Sequence, residues 1–175
     1  MKKNTLSIIF FSILMTNSIL LFANTSSQTE DFKVGAAKSK MTPPVGSIIG
    51  DSYGIRISQG VHDDIYIKTL VFEHAGEKAA FITLDVISLP HMLVMKSREL
   101  IHKQTGIAIN NIILNATHAH AGPQMNPLFW DVVGGLAKLK SQEYTQNLPE
   151  LITANVKLAI SKIQPVRVSV GSVQE

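Results

Sequence analysis

The stretch "IYIKTLVFEHAGEKAAFITLD", Ile65 to Asp85, decides the fold. Two runs rich in β-branched and aromatic residues, Ile65 to His74 and Lys78 to Asp85, are joined by Ala75-Gly76-Glu77. Residues of that kind favour the pleated, half-buried surface of a strand, and a short glycine-bearing link between two of them signals a hairpin. The prediction is an antiparallel pair.

Working outward, "FKVGAAKS" from Phe32 to Ser39 alternates as a first strand should, and "KMTPPVG" stops it, because two prolines and a glycine impose an extended turn. Downstream, "SLPHMLVMKSRELIHKQTG" predicts a helix. Ser88 is placed to cap it, Pro90 suits its first turn, Leu93, Leu100 and Ile101 share a face, and Gly106 stops it. "NIILNA", residues 111 to 116, reads as a buried strand, and "GPQMNPLFWDVVGG", residues 122 to 135, as a loop of the kind that forms pocket walls. A second helix is expected over Leu148 to Ile163, with Asn147 as cap, Pro149 in the first turn, and an apolar stripe of Leu151, Ile152, Ala159 and Ile163. The closing "PVRVSVGSVQE" alternates again and predicts a strand. Strands alternating with helices give the α/β class, and the hairpin makes its sheet mixed, with helices flanking it.

A chain of 175 residues suits one domain with a real core. Net charge is only +3 and the lysines are scattered, so the sequence carries no electrostatic footprint for nucleic acid. Cysteine is absent, which excludes disulfides, thiol catalysis and thiolate metal sites. Lys2 and Lys3, the apolar segment Leu6 to Phe22 and then Ala23 read as an export signal over residues 1–23, followed by a polar linker over 24–31. A retained anchor is the alternative, and both readings put the folded part outside the cytoplasm.

The chemistry concentrates in "NATHAHAGP", Asn115 to Pro123. In a strand, residues i and i+2 face the same side, so His118 and His120 can present both rings to one space. They follow a strand of an α/β sheet, and ligands bind beyond the carboxyl ends of such strands. Nitrogen and oxygen ligands with one open position would make a catalytic metal site, although a bare His-X-His also arises as two polar residues at a strand end. Asp85 closes "FITLD" and is either an acceptor that orients the His118 ring or a cap for the next helix. His62, in "QGVHDD", is a third pocket candidate. His74, His91 and His102 read as solvated surface residues.

"FKVGAAKSKMTPPVG", "GVHDDIYIKTLVFEHAGEKAAFITLD" and "NIILNATHAHAGP", taken in order, resemble the N-terminal catalytic domain of the neutral/alkaline (non-lysosomal) ceramidase family. The resemblance runs from Phe32 onward, so residues 32–175 are expected to form the N-terminal part of such a domain. Family members usually read Thr-His-Thr-His-Ser-Gly-Pro; Ala119 and Ala121 stand here in place of a threonine and the serine. The resemblance implies a Zn2+-dependent amidase acting on ceramide-like lipids, with contact to a membrane surface. It makes His118 a zinc ligand and His120 the catalytic pocket histidine. The family's remaining ligands, a histidine, a glutamate and a tyrosine, and its serine in a Gly-Asp-Val-Ser-Pro-Asn segment, have no counterpart here, so the expectation is one part of a larger enzyme. The alternatives are a secreted module that binds a lipid or a partner without catalysis, and an unrelated metal-dependent phosphoesterase, for which Asp63, Asp64 and Asp85 would be the added ligands.

Overall fold

A computed structural model describes residues 32–51 and 54–174; the expected export signal and linker lie outside them. The hairpin forms as the sequence predicts. β4 (Tyr66–His74) and β5 (Glu77–Leu84) pair antiparallel, with His74 opposite Glu77. The turn is therefore only Ala75-Gly76, and both residues have positive φ, 51° and 78°. That is the primed-turn geometry whose twist matches the strands it joins.

β1 (Lys33–Lys40) adds antiparallel to the other edge of β4, and β6 (Ile112–Ala116) adds parallel to β5. With β7 (Gln164–Pro165) on β1, the order is β6-β5-β4-β1-β7, a mixed sheet. The parallel pair is linked by α1 (His91–Thr105) and a 3-10 turn at Ile109–Asn111. Gly106 ends α1 in the left-handed conformation, as expected, but the first turn differs. Pro90 itself occupies the cap position and no side chain caps the helix, so Ser88 does not serve.

Four further expectations are corrected. "NIILNA" forms the edge of the sheet instead of a buried strand: Ile112 is buried but Ile113 is 53% exposed. The "GPQMNPLFWDVVGG" segment is not all loop, because Asn126 caps a short helix, α2 (Pro127–Val133), by accepting from the Leu128 N–H. The last helix, α3 (Gly135–Ile160), begins well before Leu148, which leaves Pro149 in its interior and Asn147 without a capping role. A proline inside a helix lacks an N–H and costs about 3 kcal/mol. Burial of Leu148, Ile152, Val156 and Ala159 along one stripe of α3 against the sheet offsets that cost. Beyond β7 one further bond joins the Val166 N–H to the Phe32 carbonyl, after which Val168, Val170 and Val173 stand in solvent, so the expected closing strand reduces to two residues.

α1 and α3 cover one face of the sheet over a core that includes Met41, Ile67, Val71, Ile82, Leu84, Ile101 and Ile112. Gly35 is required there: a Cβ on it would lie 2.0 Å from the Ala159 carbonyl oxygen. The other face leaves Leu70, Phe81 and Ile113 exposed. A hairpin of β2 (Ile48–Asp51) and β3 (Gly54–Ile57), not anticipated from "KMTPPVG" onward, forms a small second sheet. No helix among the described residues is long and apolar enough to cross a membrane.

Candidate functional site

The site is built where β5 and β6 end side by side. After Ala116 the chain keeps running along the segment that follows β5: the Thr117 N–H donates to the Leu84 carbonyl and the Ala119 N–H to the Val86 carbonyl. On its far side the loop is tied to β2, with the Gly50 N–H donating to the Gly122 carbonyl and the Gln124 N–H to the Ile48 carbonyl, both at 2.9 Å. Gly122 fits only because it has no side chain; a Cβ there would meet the Asp85 carbonyl oxygen at 2.8 Å. Two backbone partners thus clamp "THAHAGP" from opposite sides.

Within this clamp His118 adopts φ 64°, one of two non-glycine residues with positive φ among the described residues. Left-handed backbone costs an L-residue about 1–2 kcal/mol and persists only where the surroundings over-determine it. The kink changes the reason for the histidine pairing. The two residues do not share a strand face, since β6 ends at Ala116; the left-handed turn brings the rings together, edge to face, with centroids 4.8 Å apart. His118 Nδ1 lies 2.9 Å from the Ile87 carbonyl oxygen. A carbonyl can only accept, so Nδ1 carries a proton and, in the neutral ring, Nε2 holds the lone pair, the tautomer suited to bind a metal.

Asp85 does not orient that ring. Its carboxylate accepts from the Tyr66 N–H at 3.1 Å, from Lys68 Nζ at 3.0 and 3.1 Å, and from Thr117 Oγ1 at 3.4 Å. It fixes the end of β5 to β4 and borders the histidine loop through Thr117; nor does it cap α1. His62 is exposed and sits 2.7 Å from Asp63 Oδ2. It lines a cavity of about 310 Å3 whose wall includes Ala121, the neighbour of His120, so it faces the same loop without joining the histidine pair. Beside this cavity Lys40 and then Thr42 hold the Asp64 carboxyl below its ordinary range. Sequence reasoning missed Ile87 because a main-chain acceptor has no signature in residue type. It missed the structural need for Gly122 because that need lies in a contact with Asp85 far away in sequence.

His118 fits a metal by its tautomer and presentation. The set around it is incomplete: among the described residues no group of three His, Cys, Asp or Glu converges, whereas a catalytic zinc takes three protein ligands.

No family model matches the chain. A curated relative from Pseudomonas aeruginosa is 25% identical over 173 residues, covering 93% of this chain and 25% of the relative. The similarity is to neutral ceramidase. The crystal structure of neutral ceramidase from that organism superposes with a TM-score of 0.64 at 19% identity, over 79% of this chain and 23% of that one. A ceramidase complexed with C2 gives 0.63 at 19% identity, over 78% and 22%. The resemblance to neutral ceramidase read from the motifs is therefore borne out, as is the mixed α/β fold. The chain spans about a quarter of the length of these relatives.

Proposed function

We propose that this chain contributes the His118–His120 part of the active site of an exported zinc amidohydrolase of neutral ceramidase type, which hydrolyses the N-acyl amide bond of ceramide-like lipids. The observation that carries the reading is His118 itself. It is held in a strained left-handed turn at the carboxyl end of the parallel pair, with Nδ1 on a carbonyl and Nε2 presented. Strain of this kind is kept where function needs a geometry.

In this reading His118 Nε2 is one zinc ligand, and the others come from residues outside the described set. A bound zinc polarises a carbonyl and acidifies its water. The chain's own residues do the rest. The Ile87 carbonyl fixes the His118 tautomer, the Gly122 contact keeps the loop against Asp85 and Val86, and His120, packed against the His118 ring, donates a hydrogen bond to the oxygen on which negative charge develops. Replacement of the family's threonine and serine by Ala119 and Ala121 spares both rings.

The test combines zinc content with hydrolysis of a fluorescent ceramide by the endogenous protein that carries this chain. His118→Ala should lose zinc and activity together, and His120→Ala should lower turnover about 100-fold or more with zinc retained. Unchanged zinc in His118→Ala would sink the assignment. The alternative, a lipid- or partner-binding module without catalysis, is favoured by one observation, the lack of a third metal-ligating side chain among the described residues. Saturable lipid binding without stoichiometric zinc in the endogenous protein would select it.

A further inference from the structure

A cavity of about 590 Å3 opens between the first turns of α1, the short helix α2 and the middle of α3. Its volume is that of a small-molecule site. Met92, Leu93, Met125, Trp130 and Pro149 form its walls, and Lys96 stands at it with no carboxylate among the described lining residues. Trp130 turns its one polar atom away, donating Nε1–H to the Gln124 carbonyl at 2.7 Å, so the indole offers the cavity an apolar surface. Two methionines give walls that adapt to a flexible guest. Met92 is 62% exposed, an apolar rim that no other described residue covers.

We infer that this groove holds the alkyl chain of a monoacyl lipid whose carboxylate pairs with Lys96. The occupant follows from two features. The walls are mostly apolar, with His91, Thr145 and Gln146 as the other polar members, while Lys96 is a cation with no acid among the described lining residues. An alkyl chain ending in a carboxylate satisfies both, and it is the product that cleavage of an N-acyl amide releases; in that respect the inference rests on the amidase reading. The groove is also joined to the support of the histidine loop by a short stretch of chain. Ile87, whose carbonyl holds the His118 ring, precedes the groove residue Pro90 by three residues, at most about 11 Å of extended chain.

Trp130 is the single tryptophan of these 175 residues and lines the groove, so it reports on that groove directly. The probe is ω-bromoundecanoate, kept below its micelle concentration, because bromine quenches indole fluorescence on contact. Quenching should saturate, and unbrominated carboxylates should displace the probe with affinities that rise up to about fourfold per added methylene, the factor equivalent to about 0.8 kcal/mol. Met92→Asp, at an exposed site, should weaken binding about tenfold. Lys96→Glu should weaken the carboxylate but not the matching bromo-alcohol.

Linear quenching no stronger than that by sodium bromide would overturn the inference, as would affinities independent of chain length in a protein whose far-ultraviolet circular dichroism is unchanged. His118→Ala should leave the quenching intact. Loss of zinc-dependent hydrolysis and loss of chain binding are thus separate outcomes: the first failing alone removes the amidase, the second alone removes the groove.

Discussion

The left-handed backbone at His118 makes a prediction of unusual sign. At most positions alanine is more stable than glycine, because glycine leaves the unfolded chain about 0.4–1 kcal/mol more entropy to lose. At φ 64° the order should reverse. His118→Ala keeps the strain and gives up the hydrogen bond to the Ile87 carbonyl, a loss of about 1 kcal/mol. His118→Gly gives up the same bond but relieves about 1–2 kcal/mol of strain. After the entropy term, glycine should exceed alanine by about 0.5–1 kcal/mol and lie close to the parent protein. With a urea slope of about 2 kcal/mol/M, that difference separates the unfolding midpoints by roughly 0.4 M. Urea titrations followed by Trp130 fluorescence would resolve it. If the alanine variant is as stable as the glycine variant, or more so, the strained turn is not what positions this histidine, and the principal support for the functional reading falls.

Gly35→Ala should cost about 3 kcal/mol or more, because its Cβ would lie 2.0 Å from the Ala159 carbonyl oxygen and force α3 away from β1. Thermal unfolding should then begin about 10 °C lower, and a shift under about 2 °C would contradict the packing described. Thr69→Val should raise stability by about 1 kcal/mol, since the Thr69 hydroxyl is buried without a hydrogen-bond partner among the described residues and valine keeps the shape; a destabilised variant would reveal a partner for that hydroxyl. Acid should weaken the fold through Asp64 and Glu73. Lys40 and Thr42 lower the first in the folded state, and Lys78 and Lys33 the second. A lowered folded pKa contributes stability that is present above the unfolded value and is lost as pH falls through the folded one, so urea midpoints should decline from about pH 5 downward. Asp64→Asn should flatten that decline, and an unaltered slope would remove Asp64 as a contributor.

Legibility in the sequence followed the range of the interactions involved. The β4–β5 hairpin, β1 and the body of α1 were readable because alternation, turn glycines and the Gly106 stop act between near neighbours. The His118 and His120 positions were readable as a motif, and the cysteine count limited what these 175 residues could offer a metal to nitrogen and oxygen ligands. The tertiary structure decided the rest. Pro149 reads as a helix start, yet it lies inside α3, because burial of Leu148 and Ile152 against the sheet outweighs one lost helical hydrogen bond. Ile113 reads as buried, yet it is exposed, because no residue in its own strand records that β6 is the sheet's edge. The valines after β7 alternate as a strand would, but a ladder needs a neighbour and the alternation does not supply one. His118 depends most on distant contacts. Its ring is aimed by the Ile87 carbonyl and its turn is held by the approach of Gly122 to Asp85, contacts between segments some thirty residues or more apart that local sequence preference does not encode.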